Sequence, residues 1–87
     1  MKSNIDVIEA FLNHENLGSL NLFSENDKLF SFDTCIAQWH MDELVINDTY
    51  YSSTMSKHVE LLKSLGQDFN IRFVTRIPLG AGFLVIF

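Results

Sequence analysis

The chain has little of what would mark out a specialised class. One cysteine, Cys35, allows no internal disulfide and no cysteine-cluster zinc site. One proline and four glycines are too few for a linker, and no stretch is repeated or of low complexity. No apolar run approaches the roughly 18 residues of a membrane helix, so no membrane association is expected. The opening Met1-Lys2-Ser3-Asn4-Ile5-Asp6 lacks the apolar core of a secretory signal, which predicts a cytoplasmic protein. Basic residues are also scarce. Six Lys and Arg stand against eleven Asp and Glu, for a net charge of -5. The six are scattered (Lys2, Lys28, Lys57, Lys63, Arg72 and Arg76). Phosphate binding needs clustered cations, so direct nucleic-acid binding is not expected.

What is present is apolar. Hydrophobic residues make up 47% of the 87 and include eight Phe and one Trp. That excludes a disordered chain and predicts one folded domain over residues 1–87. A domain this small buries only ~60% of its unfolded surface. Some large apolar side chains should therefore stay outside, where a patch marks a partner or a self-interface. An acidic protein of this kind suits docking on a basic groove, because opposite charge speeds encounter.

Patterning predicts an α+β fold, an antiparallel sheet in the order αβββαββ with two helices packed on one face. Residues 3–14 read as a helix capped by Ser3 or Asn4, with Ile5, Ile8, Phe11 and Leu12 on its buried face. Residues 19–24 read as a strand with Leu20 and Leu22 on one side. Residues 29–39 read as one long strand. Phe30 and Phe32 share one parity, and Cys35, Ala37 and Trp39 the other. A bulge near Asp33 would reconcile them; burial of both faces is the alternative. Residues 44–47 return the chain as a meander. Residues 50–54 enter a second helix, capped by Ser53 or Thr54, which buries Met55, Val59, Leu62 and either Leu61 or Leu65. Gly66 should end it in the left-handed conformation. Residues 69–75 alternate as a strand, with Phe69, Ile71 and Phe73 inward. Residues 83–87 read as a last strand, either inside the sheet or pairing with another chain.

No motif carries a reaction. Cys35 with His40 or His58 has no orienting third group, and an apolar strand favours a small buried thiol. His14, His40 and His58 fall on different elements with no ligand spacing, so they read as surface residues, and no metal or cofactor is expected. The helix start Ser53, Thr54, Ser56, Lys57 and His58 is either a polar cap or an anion site. Gly80-Ala81-Gly82 lacks the Lys-Ser/Thr ending of a phosphate loop.

Two blocks carry a resemblance. Leu29-Phe30-Ser31-Phe32-Asp33-Thr34-Cys35-Ile36-Ala37-Gln38 and Tyr51-Ser52-Ser53-Thr54-Met55-Ser56-Lys57-His58 resemble a group of small uncharacterised proteins of phages, prophages and mobile elements. Those carry an aromatic-Ser-aromatic-Gly-Thr-x-Ile-Ala strand, then a Tyr-Ser-x-Thr-Thr-Ser-Lys-His helix start. Asp33 here replaces the usual Gly and Met55 the usual Thr. The resemblance implies a phage setting in a bacterial host cytoplasm, where small acidic proteins inhibit host proteins, including CRISPR effectors, by direct binding.

The expectation is thus a non-enzymatic binding protein, an inhibitor of a host defence nuclease such as a CRISPR effector. Its acidic contacts would be Glu25, Asp27, Asp42, Glu43 and Asp48, and its aromatic anchors Trp39, Tyr50 and Tyr51. The alternative is a structural or regulatory homo-oligomer, such as a homodimer.

Overall fold

Local sequence sets the element boundaries. The computed structural model describes residues 3–84. Its elements are α1 (Asn4–Leu12), β1 (Leu17–Gly18), β2 (Leu22–Glu25), β3 (Lys28–Ser31), β4 (Thr34–His40), β5 (Glu43–Asn47), α2 (Ser53–Leu65) and β6 (Ile71–Val74). The fold is α+β, with a six-stranded sheet whose spatial order follows the chain, β1-β2-β3-β4-β5-β6. β1 to β5 pair antiparallel, but β6 lies parallel to β5. The expected all-antiparallel αβββαββ order therefore gives way to a mixed sheet. The reason is α2, which carries the chain back to the end of the sheet where β5 begins.

α1 forms as expected at its start. Ser3 Oγ accepts from the Asp6 amide while the Asp6 carboxylate accepts from the Ser3 amide, a reciprocal cap that satisfies two free donors. Its buried face is Val7, Ile8, Ala10, Phe11 and Leu12. Ile5, expected inside, is 46% exposed, because the helix rests on its second and third turns. α2 is capped by Ser52, whose Oγ accepts from the Met55 amide, rather than by Ser53 or Thr54. Gly66 has φ -100, so it is not the left-handed terminator expected. A Cβ there would sit 3.0 Å from Leu44 Cδ2 and 3.1 Å from the Leu62 carbonyl oxygen. Glycine lets the helix end press onto β5.

The middle of the chain departs most from its pattern. Residues 29–39 are not one strand but the hairpin of β3 and β4, turning at Phe32 and Asp33 with Ser31 opposite Thr34. Phe32 takes the left-handed φ of 56, which a pattern of alternating aromatics does not advertise. A bulge does occur, but at Ile36: Leu29 pairs with Ala37 and Phe30 with Cys35, leaving Ile36 unpaired. Ile36 and Ala37 consequently both pack under the helices, while Cys35 belongs to a cluster on the opposite face. The β2–β3 turn, Asn26 and Asp27, is left-handed at both positions (φ 52 and 61), the hairpin geometry these residues favour. Leu20 is 81% exposed, since residues 19–21 turn between β1 and β2 instead of continuing a strand.

One core fills the helix face. Val7, Ile8, Phe11 and Leu12 of α1 meet Met55, Val59 and Leu62 of α2 over Leu22, Leu29, Ile36, Ala37, Leu44 and Ile46 of the sheet. The opposite face is covered by a strap without regular structure, residues 77–84. Its Leu84 and Ile77 pack with Cys35, Val45, Phe30 and Val74. Phe83 and Leu84 thus lie outside the sheet, not in the last strand expected, and residues 85–87 of that strand lie outside the described residues. Phe69 and Phe73, expected inward, are 42% and 52% exposed: Phe73 lies on β6, the edge of the sheet, and Phe69 precedes that strand and turns against Trp39. No helix among the described residues is long and apolar enough to cross a membrane.

Candidate functional site

The eight residues singled out from sequence fall at two ends of the sheet. Glu25 and Asp27 lie at the β2–β3 turn, and Trp39, Asp42 and Glu43 at the β4–β5 turn. The Trp39 amide donates to the Asp27 carbonyl, so these two turns touch. Asp48, Tyr50 and Tyr51 follow the far end of β5. At ~3.3 Å per residue, the five residues of β5 hold the two groups roughly 15 Å apart.

The first end carries an aromatic ridge. Trp39 is half-buried, and its Nε1 donates to the Phe11 carbonyl at 2.9 Å. The same carbonyl, near the end of α1, also accepts from the His14 amide, and the indole bond fixes Trp39 against the helix end. The Phe69 ring meets it edge-on, 5.3 Å between centroids. The His14 ring lies at 4.7 Å, and His14 Nδ1 donates to Asp27 Oδ1 at 2.8 Å. His14 has φ 62, the left-handed turn that swings the chain off α1 and brings its ring over Trp39. Beyond Phe69, a groove of about 230 Å³ is lined by Glu9, Leu12, Asn13, Leu65 and Phe69. Asp42 is exposed, while Glu43 Oε1 accepts from Arg72 Nε at 2.9 Å. This end therefore combines exposed aromatic area with carboxylates. Sequence reasoning missed Phe69 because strand alternation placed it inward, and Leu65 because helix periodicity left it level with Leu61 for the buried stripe, a place that Leu61 takes. It missed His14 because nothing local links residue 14 to residue 39.

The second end serves the strap. Asn47 is fully buried. Its Nδ2 donates to the Cys35 carbonyl and to Tyr51 Oη, and its Oδ1 accepts from the Thr49 amide. Tyr51 Oη in turn donates to the Ile77 carbonyl, and the Ile77 amide donates to Thr49 Oγ1. Tyr51 is thus a structural peg, not a free anchor. Asp48 accepts from Lys63 Nζ at 2.8 Å, and Lys63 also lies 5.2 Å over the Phe73 ring. This pairing with Asp48 raises the Lys63 pKa. Tyr50 is 72% exposed and, with Asp48, Thr49, Ser56, Val59 and Glu60, lines a cavity of about 130 Å³.

The polar start of α2 divides its residues. Ser52 caps the helix, Lys57 is exposed, and His58 turns inward. His58, expected at the surface, is buried, and its Nδ1 shares a 2.6 Å hydrogen bond with Ser31 Oγ. Burial pushes its pKa down. Ser31 is fully buried, so the pair ties α2 to β3 where no substrate reaches the hydroxyl. Cys35 is also fully buried, as expected, and burial raises its thiol to about 11. Its Sγ donates to the Ala37 carbonyl at 3.2 Å. A thiol so placed is protonated near neutrality and is a poor nucleophile. Among the described residues, no three His, Cys, Asp or Glu side chains cluster closely enough to hold a metal ion.

No family model, curated protein or solved structure matches this chain.

Proposed function

We propose that the chain is a non-enzymatic binding protein that docks on a basic surface of a protein partner through the acidic, aromatic end of its sheet. One observation carries this reading: the ridge of exposed Phe69 and His14 on either side of half-buried Trp39, continuous with Asp27 and flanked by Asp42. Aromatic side chains fixed by packing lose little entropy on binding and act as hot spots, while surrounding carboxylates steer a cationic partner. The resemblance of residues 29–38 and 51–58 to phage and mobile-element proteins extends the proposal. The partner it implies is a host defence nuclease such as a CRISPR effector, whose nucleic-acid groove is basic. Burial of Cys35 and Ser31 supports the non-enzymatic part of the reading.

The test is affinity capture from bacterial host lysate with the wild type beside an Asp42→Lys/Asp68→Lys double variant, both residues being exposed. The expected result is one stoichiometric partner, lost in the variant and released by salt. Capture that is unchanged by the two reversals would overturn the reading.

A self-associating module is the second reading, favoured by the β6 edge. In the parallel ladder with β5, the amides and carbonyls of Ile71 and Phe73 point outward, and Phe73 is 52% exposed. Such an edge is a template for strand pairing. Light scattering that gives a monomer mass at the highest soluble concentration would remove it.

A further inference from the structure

The groove beside Phe69 has a more specific chemistry than the ridge it adjoins. It is lined by Glu9, Leu12 and Asn13 of α1 and its cap, by Leu65 at the end of α2, and by Phe69. Both helices therefore end on it. The C-terminus of a helix carries a partial negative charge, usually offset by a nearby Lys, Arg or His. α1 has no basic residue in its last turn. The Lys63 ammonium of α2 is engaged by Asp48 and Glu60 and lies over Phe73. Among the described residues, no Lys or Arg lines the groove. Glu9 makes no ion pair among the described residues. The floor, Leu12 and Leu65, is apolar, and one wall is an aromatic ring. At about 230 Å³ the space is below the ~300–1,000 Å³ of a small-molecule site. It fits one long side chain.

We infer that this groove receives an arginine side chain presented by the protein partner. The methylene stem would cross Leu12 and Leu65, the guanidinium plane would stack on Phe69, and its N–H groups would reach the Glu9 carboxylate and the Asn13 side-chain oxygen. Arginine satisfies all three demands at once. Its stem is apolar, its charge is delocalised and weakly hydrated, and its planar fork both stacks on rings and pairs with carboxylates. Lysine meets the charge but not the stacking. The inference rests on the partner-binding reading and names the chemistry of the contact.

The single tryptophan, Trp39, touches Phe69 edge-on, so its fluorescence reports the groove. The probe is a Gly/Ser hexapeptide with one central arginine, compared with the same peptide carrying lysine or the neutral isostere citrulline. Binding is read by Trp39 emission and by backbone amide shifts in ¹⁵N-labelled protein. The arginine peptide should saturate, with shifts confined to the turns around Glu9, Asn13, Leu65 and Phe69. The lysine peptide should bind severalfold more weakly, and the citrulline peptide should not bind. Glu9→Gln should weaken the arginine peptide about tenfold, the loss of one charge-assisted pair. Phe69→Leu keeps apolar volume while removing the ring face, and should weaken it severalfold. Glu60→Gln, outside the groove, should change nothing.

Equal binding of lysine and arginine, shifts spread over Glu25, Asp42 and Glu60, or an unaltered Glu9→Gln variant would each overturn the inference. So would shifts at the groove that grow with protein concentration alone and vanish in Arg76→Gln, since the arginine would then belong to a second copy. The two readings fail separately. A saturable groove with no captured partner removes the function and keeps the groove. A captured partner indifferent to Glu9→Gln does the reverse.

Discussion

The two faces of the sheet are covered by different kinds of chemistry. On one, two helices bury a continuous apolar cluster from Val7 to Leu62. On the other, the described residues of an irregular strap add Leu84 and Ile77 to Cys35, Val45, Phe30 and Val74. The strap is held instead by aimed polar bonds. The Cys35 amide donates to the Ala81 carbonyl, the Gly80 amide to Thr34 Oγ1, and Gln38 bonds both the amide and carbonyl of Leu84. Asn47, Thr49 and Tyr51 fasten its other end at Ile77. Area burial is non-directional and tolerates sliding. Hydrogen bonds specify position but each contributes only ~0.5–1.5 kcal/mol net. The helix face should therefore set global stability, and the strap should open locally at lower free energy.

The largest test of that contrast is a pair of truncations. Leu62→Ala should cost ~2–5 kcal/mol in urea unfolding, because the rigid helix layer cannot close the cavity. Leu84→Ala should cost less, since the strap can settle into the space. Equal losses would erase the distinction between the faces. Next is Asn47→Ala, which removes at once the bonds to the Cys35 carbonyl, the Thr49 amide and Tyr51 Oη. A loss of ~2–3 kcal/mol is expected. A smaller loss would mean that the strap is held by its apolar residues after all. Tyr51→Phe sharpens the point. It should lower the global midpoint by only ~1 kcal/mol yet speed labelling of Cys35 by a thiol reagent, since strap opening uncovers that sulfur. Acceleration without a matching global loss separates local opening from unfolding.

The smallest effect concerns pH and the helix face. Buried His58 has its pKa below the usual 6.5, so the unfolded state takes up the proton first. Its contribution is complete above about pH 6.5 and is lost as pH falls below that value. Urea midpoints measured downward from neutrality should decline, and His58→Gln should flatten that decline. A slope that survives the substitution would assign the effect to other groups.

How much of this was legible depended on whether the signal was local. The Ser3 cap and the stripe of Met55, Val59 and Leu62 are written within one or two helical turns, and the structure has them. The turn at Phe32 was not readable, because a bulky aromatic in the left-handed region contradicts its own propensity. The parallel docking of β6 depends on where α2 delivers the chain, which alternation in residues 69–75 cannot reveal. The same limit applies to the candidate site. Glu25, Asp27, Trp39, Asp42 and Glu43 do converge at one end, because meander turns are local. Asp48, Tyr50 and Tyr51 were grouped with them by proximity in sequence and lie a strand's length away. The groove needed two helix termini to meet, and no single segment encodes that.

The sheet's strand order repeats the order of the chain, and that has a consequence in time. β2 through β5 close by two-residue turns, so each hairpin can zip onto its predecessor as soon as both strands exist. The pairing of Leu44 with Ile71 must wait for α2 to fold and span the gap, and the strap must wait for β4 and β5 to be in place. Loop-closure entropy ranks these events from near to far. The molecule should thus assemble from its amino end, with the strap arriving last.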